Sequence, residues 1–260
     1  MNVPSQSSSI CLVIPAWCET VRLDAFVQRL FPALAASGLS VTVQIVDDGS
    51  PSQLAEALAD RCEAWRAQYA FVNPLHRLPT NRGKGGAVYA GWDLACAADA
   101  CWLGFCDADG SVEADELLRL CREALAAPAP VCLCASRHVA GADARWGSPL
   151  RQALSHLFAA WVRWHTRLTV RDSQCGAKIM PAAIYRAVRR ELKEERFAFD
   201  PELLLACQKA GATIREMPVR WRWQPGSRLK LGRDGWAMLC AIRRLSRVPI
   251  GAPPAQPRAN

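Results

Sequence analysis

The chain has 260 residues, 51% apolar and 22% charged, with 32 Lys and Arg against 24 Asp and Glu for a formal net charge of +8. That composition excludes a disordered or fibrous chain and suits one large domain with a sizeable core. The charge is unevenly divided: residues 1–130 hold nine basic and fifteen acidic side chains, a net of −6, whereas residues 131–260 hold 23 and nine, a net of +14. A basic half of this kind suits an anionic partner: nucleic acid, a phosphorylated substrate or a membrane surface.

In chain order, residues 1–9 are short and polar, without the basic flank and apolar run of a secretory signal, and are predicted to be flexible. Residues 10–14 read as a strand ended by Pro15, and residues 23–34 carry apolar positions at helical spacing. The unit recurs: a strand at 41–46 runs into Asp47-Asp48-Gly49-Ser50-Pro51 and an Ala/Leu-rich helix at 53–69. A helix at 85–98 precedes a fully apolar strand at 101–106 that stops abruptly in Asp107-Ala108-Asp109-Gly110; a helix at 114–126 and a strand at 131–136 follow. Apolar strands alternating with amphipathic helices predict an α/β fold, a mostly parallel sheet with helices on both faces.

Beyond residue 140 the pattern changes. Leu150, Leu154, Leu157, Phe158, Trp161 and Leu168 form one helical stripe bordered by Arg151, Arg163 and Arg167. Two readings stand: a helix packing on the core, which is preferred, or a helix in a membrane interface, where Trp bodies and Arg heads are both at home. A second basic amphipathic segment at 236–248 carries Arg243, Arg244 and Arg247, and a Pro/Ala-rich tail at 249–260 is predicted to be disordered. The longest apolar runs, 94–106 and 124–136, have 13 residues each and are interrupted by Asp99 and by Pro128 and Pro130, short of the roughly 18 residues a membrane span needs. Twelve cysteines without a Cys-x-x-Cys pair read as buried reduced thiols, and His76, His138, His156 and His165 lack metal-ligand spacing.

Ligands of such sheets sit beyond the carboxyl ends of parallel strands. Three polar clusters fall there: residues 15–19, 47–50 and 107–111. Asp107 and Asp109, separated by one small residue, can approach one divalent cation together, and an oxygen-only ligand set suits Mg²⁺ or Mn²⁺ with positions left for phosphates. Asp47-Asp48-Gly49-Ser50 can both cap the next helix and accept hydrogen bonds from a nucleotide. Asn81-Arg82-Gly83-Lys84-Gly85-Gly86-Ala87 is a basic glycine-rich loop opening a helix, suited to a diphosphate through its N–H groups and Lys84. It matches neither the Walker A nor the dinucleotide-binding fingerprint, so a P-loop NTPase or a dehydrogenase is disfavoured.

Together these residues resemble glycosyltransferase family 2. Val13-Ile14-Pro15-Ala16-Trp17-Cys18-Glu19, Val46-Asp47-Asp48-Gly49-Ser50, the 81–87 loop and Asp107-Ala108-Asp109-Gly110 occur in the family's order. Ala135-Ser136-Arg137, Arg171-Asp172-Ser173-Gln174-Cys175-Gly176-Ala177-Lys178, the segment 197–204 and Gly226-Ser227-Arg228-Leu229-Lys230 are similar to its polyprenyl-phosphate branch, nearest to the dolichyl-phosphate β-glucosyltransferases and next to the mannose synthases. Trp17-Cys18 stands where Tyr-Asn is usual, and Ser111 stands where mannose synthases often carry Gln. The resemblance implies a single GT-A domain over residues 10–248, with a nucleotide-sugar and metal half at 10–136 and an acceptor and membrane-surface half at 137–248. It implies that Pro15, Ala16, Glu19 and Asp48 hold base and ribose, that Lys84 and Asp107 approach the diphosphate, and that Asp107 and Asp109 hold Mg²⁺ or Mn²⁺. Arg137, Gln174, Arg228 and Lys230 would face an acceptor phosphate, and Asp109, Asp172 and Arg137 would form the catalytic set, with Asp172 positioning rather than accepting a proton.

The implied reaction is inverting transfer of a hexose from UDP-glucose or GDP-mannose to a polyprenyl monophosphate, at the cytosolic face of a membrane, by a peripheral enzyme without a span of its own. A family 2 transferase acting on a soluble or surface glycan is the alternative, although the Gln-x-x-Arg-Trp signature of processive synthases is absent. Nucleic-acid binding is disfavoured: strand-end carboxylates repel a phosphate backbone, and no recognised motif is present.

Overall fold

The computed structural model describes residues 9–127, 130–226 and 233–246. The predicted tail, all but Ser9 of the predicted flexible N-terminus, Arg228, Lys230 and Arg247 lie outside the described residues.

The first half follows the predicted alternation: β1 (Ile10–Ala16), α1 (Val21–Ala36), β2 (Val41–Asp47), α2 (Ser52–Gln68), a two-residue β3 (His76–Arg77), α3 (Lys84–Ala97), β4 (Trp102–Cys106), α4 (Ala114–Leu125) and β5 (Val131–Ser136). The second half contributes β6 (Asp143–Arg145), α5 (Pro149–Thr166), β7 (Ala177–Pro181), α6 (Ala182–Val188), α7 (Phe199–Lys209), β8 (Thr213–Pro218), β9 (Arg220–Arg222) and α8 (Arg233–Leu245). Seven strands form one sheet in the order β3-β2-β1-β4-β7-β5-β8, and β6 pairs with β9 beside it. The pairs along β3-β2-β1-β4 and β5-β8 are parallel; β7 is antiparallel to both neighbours. One apolar core fills the side covered by α1, α2 and α4, and a second the side covered by α3, α6 and α7. Strands buried on both faces read as continuous apolar runs, which is why β1, β2, β4 and β5 were visible in the sequence.

The site follows from the register. β1 pairs with β2 as far as Ala16 and Asp47, but with β4 only as far as Val13 and Phe105. Beyond Val13 the two strands part, and Pro15, which has no N–H to offer a ladder, lies where none is needed on that side. Chain connections leave β1 in opposite directions here, so the parting is the crevice of a topological switch point.

The preferred core-packing reading of the α5 stripe holds only in part: Phe158 and Trp161 pack against the core, whereas Leu150, Leu154 and Leu157 are exposed. Ser148 caps the helix by accepting the Arg151 N–H at 3.3 Å, Pro149 takes the first turn, and Arg167 ends it in the left-handed region. The buried face is Ala159, Val162 and Thr166, whereas Leu150 and Leu157 are both 66% exposed and Trp164 is 77% exposed. Leu168 is buried, but it lies past the helix. Apolar residues occupy more than half of this helix's circumference, so periodicity identified the helix without fixing which arc faces inward.

Candidate active site

The predicted strand-end clusters converge on a cleft of about 960 Å³ lined by Pro15, Ala16 and Glu19 from the first, Asp48 from the second, and Asp107 and Asp109 from the third. Lys84, Arg137 and Gln174 reach it from other elements, and Leu154, Leu157, Phe158 and Trp161 of α5 form an apolar wall.

Asp48 is occupied by the glycine-rich loop. Its Oδ1 accepts the N–H of Arg82 at 2.7 Å, and its Oδ2 accepts the N–H of Gly83 at 2.8 Å and the Asn81 side-chain amide at 2.9 Å. Burial pushes its pKa up to about 6 against the hold of these donors. Gly83 has φ +98°, a conformation natural to glycine, and a Cβ there would lie 2.7 Å from the Glu195 carbonyl. The carboxylate thus fixes the turn that places Lys84 at the start of α3.

Lys84 and Asp107 belong to a chain of alternating charges that runs from the cleft to a buried end at Asp200 and Lys178, which the sequence did not announce. Lys84 Nζ is 2.7 Å from Asp107 Oδ1 and 3.6 Å from Asp200 Oδ2, and Asp200, 1% exposed, also binds the Lys178 ammonium. Lys178 donates to the Cys175 carbonyl at 3.0 Å as well. Burial disfavours the Lys84 charge, but the carboxylates of Asp107 and Asp200 outweigh it and raise its pKa, so Lys84 stays cationic. Lys178 and Asp200 are residues that sequence reasoning missed as site components; their signal was a lone charge in the apolar strand β7 and a buried pair of acids, Asp200 and Glu202, in the first turn of α7.

Asp107 keeps its place because residue 176 has no side chain. A Cβ on Gly176 would lie 2.0 Å from Asp107 Oδ2 and 2.4 Å from its Cγ. The obstacle is a side chain rather than backbone, so Gly176→Ala is expected to fold with its Asp107 carboxylate rotated off Lys84. Turnover should fall by about 100-fold, equivalent to about 2.7 kcal/mol, with an ordinary cooperative melt. Steady-state transfer assays beside calorimetry check this, and a fully active variant would show that the position of Asp107 is immaterial.

Asp109 faces the cleft at 25% side-chain exposure, its Oδ1 accepting the Ser111 N–H at 2.9 Å and its Oδ2 lying 3.9 Å from Arg22. Burial raises its pKa, and the Asp107 charge adds to the effect. Arg22, also missed, is held by Glu19 and donates to the Pro225 carbonyl at 3.1 Å, a separation of 203 residues. Among the described residues no group of three His, Cys, Asp or Glu could hold an ion. Two carboxylates on one cleft nevertheless fit a Mg²⁺-type ion, which takes one or two from protein and the rest of its shell from water and substrate phosphate.

On the other wall, Arg137 is stacked near Trp146 and Trp221, 4.8 and 5.2 Å from the ring centroids. Its Nε and terminal nitrogen donate to the two oxygens of Asp172 at 2.7 and 2.8 Å, and its main-chain N–H adds a bond of 2.9 Å. Gln174 donates its N–H to Asp172 at 3.1 Å. Asp172 is 1% exposed and lies behind Arg137, not on the cleft surface. Burial opposes its charge, but Arg137 prevails and holds its pKa well below the usual carboxylate range.

Residues 11–197 match the family model described as Glycosyl transferase family 2. The chain is 29% identical over 235 residues to a dolichyl-phosphate beta-glucosyltransferase of Dictyostelium discoideum, covering 87% of this chain and 70% of that one. It is 27% identical over 235 residues to the human protein of the same name, covering 86% and 71%. It spans 65% of a Trichomonas vaginalis relative, so part of each of these longer proteins has no counterpart here. Among solved structures, the glucosyl-3-phosphoglycerate synthase of Mycobacterium tuberculosis with Mn²⁺, UDP and phosphoglyceric acid superposes with a TM-score of 0.64 at 16% identity, over 95% of this chain and 80% of that one. A mannosyltransferase of Pyrobaculum calidifontis with GDP-Man and Mn²⁺ gives 0.57 at 12% identity, over 92% and 62%. The sheet is that of the GT-A glycosyltransferases, and the chain belongs to glycosyltransferase family 2.

Proposed function

We propose that the protein transfers a hexose, with inversion, from UDP-glucose or GDP-mannose to a polyprenyl monophosphate. The carrying observation is that one cleft joins carboxylates at the strand ends to a buried arginine and an apolar helix wall, surfaces matched to a diphosphate donor, an anionic headgroup and a hydrocarbon chain. The names of the curated relatives support glucose and a dolichyl-type acceptor.

In this reading Pro15, Ala16 and Glu19 meet the base and ribose, Asp48 holds the 81–87 loop, and Lys84 and Asp107 meet the diphosphate. Asp107 and Asp109 would hold Mg²⁺ or Mn²⁺, which supplies positive charge against the departing nucleoside diphosphate. The acceptor phosphate has its second pKa near about 6 and is already a nucleophile at neutral pH, so no strong base is required. Its oxygen forms the bond to the anomeric carbon as the bond to the diphosphate oxygen breaks. Arg137 and Gln174, with Arg228 and Lys230 beyond the described residues, orient that phosphate; Asp172 orients Arg137.

Among the described residues no helix is long and apolar enough to cross a membrane. Peripheral docking on the cytosolic face of an anionic membrane through α5 completes the proposal. Incubation of the purified protein with a panel of nucleotide-sugars, Mg²⁺ and a short polyprenyl phosphate, followed by mass spectrometry, is expected to yield a polyprenyl-phosphate hexose. Glycosylation of a soluble glycan instead, with no lipid product, would establish the alternative.

A further inference from the structure

We infer that a second cavity, on the flank of α5, is a binding site for the phosphate of an anionic membrane lipid, separate from the acceptor site. The inference deepens the membrane-surface part of the proposed function and rests on it. The cavity measures about 480 Å³ and is lined by His138, His156, Arg163, Thr169 and Arg171.

No carboxylate lines it, and the two nearest in the chain's contacts are committed elsewhere. Asp172 is held by Arg137, and Glu216 accepts the main-chain N–H groups of Arg171 and Asp172 at 2.7 and 2.9 Å. Arg163 reaches only the Arg171 carbonyl, at 3.4 Å, and among the described residues neither arginine has an ion-pair partner within 4 Å. The two imidazoles stack with centroids 4.2 Å apart, and His138 is fixed by the Arg171 carbonyl at 3.1 Å and Ser155 at 3.2 Å. Two guanidinium groups with most of their donors free stand beside His156, while both His138 nitrogens are engaged and the Thr169 hydroxyl turns to Gln208 at 3.5 Å; the two guanidinium groups are the donors suited to an anion of phosphate type.

The rim identifies the source of that phosphate. The helix that supplies His156 and Arg163 contains no Asp or Glu. Each of these residues is followed by an exposed apolar one, Leu157 at 66% and Trp164 at 77%. When that apolar arc enters the acyl boundary, the adjoining flank stands at headgroup depth, where lipid phosphates lie. The opposite flank of the same helix, at Leu154 and Trp161, walls the main cleft. One headgroup held at Arg163 and Arg171 would therefore set the rotation of α5 in the interface and turn the cleft mouth toward the leaflet.

The test uses no sugar transfer. Sedimentation with phosphatidylcholine vesicles, and with an equimolar mixture of phosphatidylcholine and phosphatidylglycerol, is expected to show strong preference for the mixture. Arg163→Gln/Arg171→Gln should weaken binding to the mixture by about 30-fold, from about 1 kcal/mol per arginine near an anionic surface. Arg167→Gln, one charge fewer on the same helix end but outside the cavity, should lose less than about twofold. Soluble dihexanoyl phosphatidylglycerol should shift the ring resonances of His138 and His156 saturably, and inorganic phosphate at equal concentration should not. Equal binding to both vesicle types would sink the anion site while leaving apolar docking in place; binding to neither would sink both. An equal response to inorganic phosphate, or an equal loss per charge in Arg167→Gln, would likewise overturn the assignment.

Discussion

Asp109→Asn is expected to lower sugar transfer by about 1,000-fold, about 4 kcal/mol of transition-state stabilisation, and to leave the fold as stable as the parent or slightly more so. The two effects separate because of what Asp109 touches. Its close protein contacts are the N–H and the side-chain hydroxyl of Ser111, which an amide oxygen also accepts, and its ion pair with Arg22 is stretched to 3.9 Å. Its raised pKa, from burial and from the neighbouring Asp107 charge, means that ionisation of Asp109 weakens the native state at neutral pH. Removing that charge relieves strain and leaves no buried group unpaired. Asp107→Asn behaves differently, since it breaks the 2.7 Å pair with Lys84 and leaves that ammonium to Asp200 alone. Thermal melts and steady-state rates with Mg²⁺ and Mn²⁺ on both variants test this. Unchanged turnover in Asp109→Asn would remove the residue from the proposed catalytic set.

The contrast between these two aspartates also marks how far the sequence could be read. Strand ends were legible because buried parallel strands are apolar throughout and stop at a polar cluster, so Asp48, Asp107 and Asp109 stood out and did converge on one cleft. The supporting charges were not legible. Lys178 lies within a buried strand of five residues, and nothing nearby in the chain reveals that Asp200, 22 positions on, neutralises it. Arg22 sits on an ordinary helix, and its contact at Pro225 depends on how the two halves close. Gly176 looked like one loop residue among several until the place of the Asp107 carboxylate gave its missing side chain a reason. Likewise, the stripe on α5 named a helix, but only the neighbours of Val162, namely Leu204 and Ile242, decide which arc is inside.

The second large effect is expected at the Arg137–Asp172 pair. Removing one partner of a buried ion pair leaves the other charge uncompensated and costs about 3–5 kcal/mol; the 11% exposure of Arg137 on the cleft favours the low end, about 3 kcal/mol, for Asp172→Asn. The pH dependence has a definite sign. The Asp172 carboxyl titrates well below its ordinary range in the folded state, so its contribution is complete above the unfolded value of about 3.9 and disappears as the pH falls below it. Denaturant titrations should therefore show a constant gap between parent and variant from pH 5 to 8, narrowing only below about pH 4. Because Asp172 stays ionised across the neutral range with both oxygens engaged by Arg137, it is poorly placed to accept a proton from the acceptor. An ionisation limb near about pH 6, where the acceptor phosphate becomes dianionic, should then persist in Asp172→Asn at reduced amplitude. Arg137→Lys, which keeps the charge but loses the planar fork, should raise KM for the lipid phosphate by about tenfold, as loss of one charge-assisted bond implies, with little change in KM for the nucleotide-sugar. A limb that vanished in Asp172→Asn would make the carboxylate a base, and equal KM effects on both substrates would move Arg137 off the acceptor side. Persistence of the limb with a selective KM effect would leave the pair a single role: a guanidinium held by a permanent counter-charge, oriented before the anionic acceptor arrives.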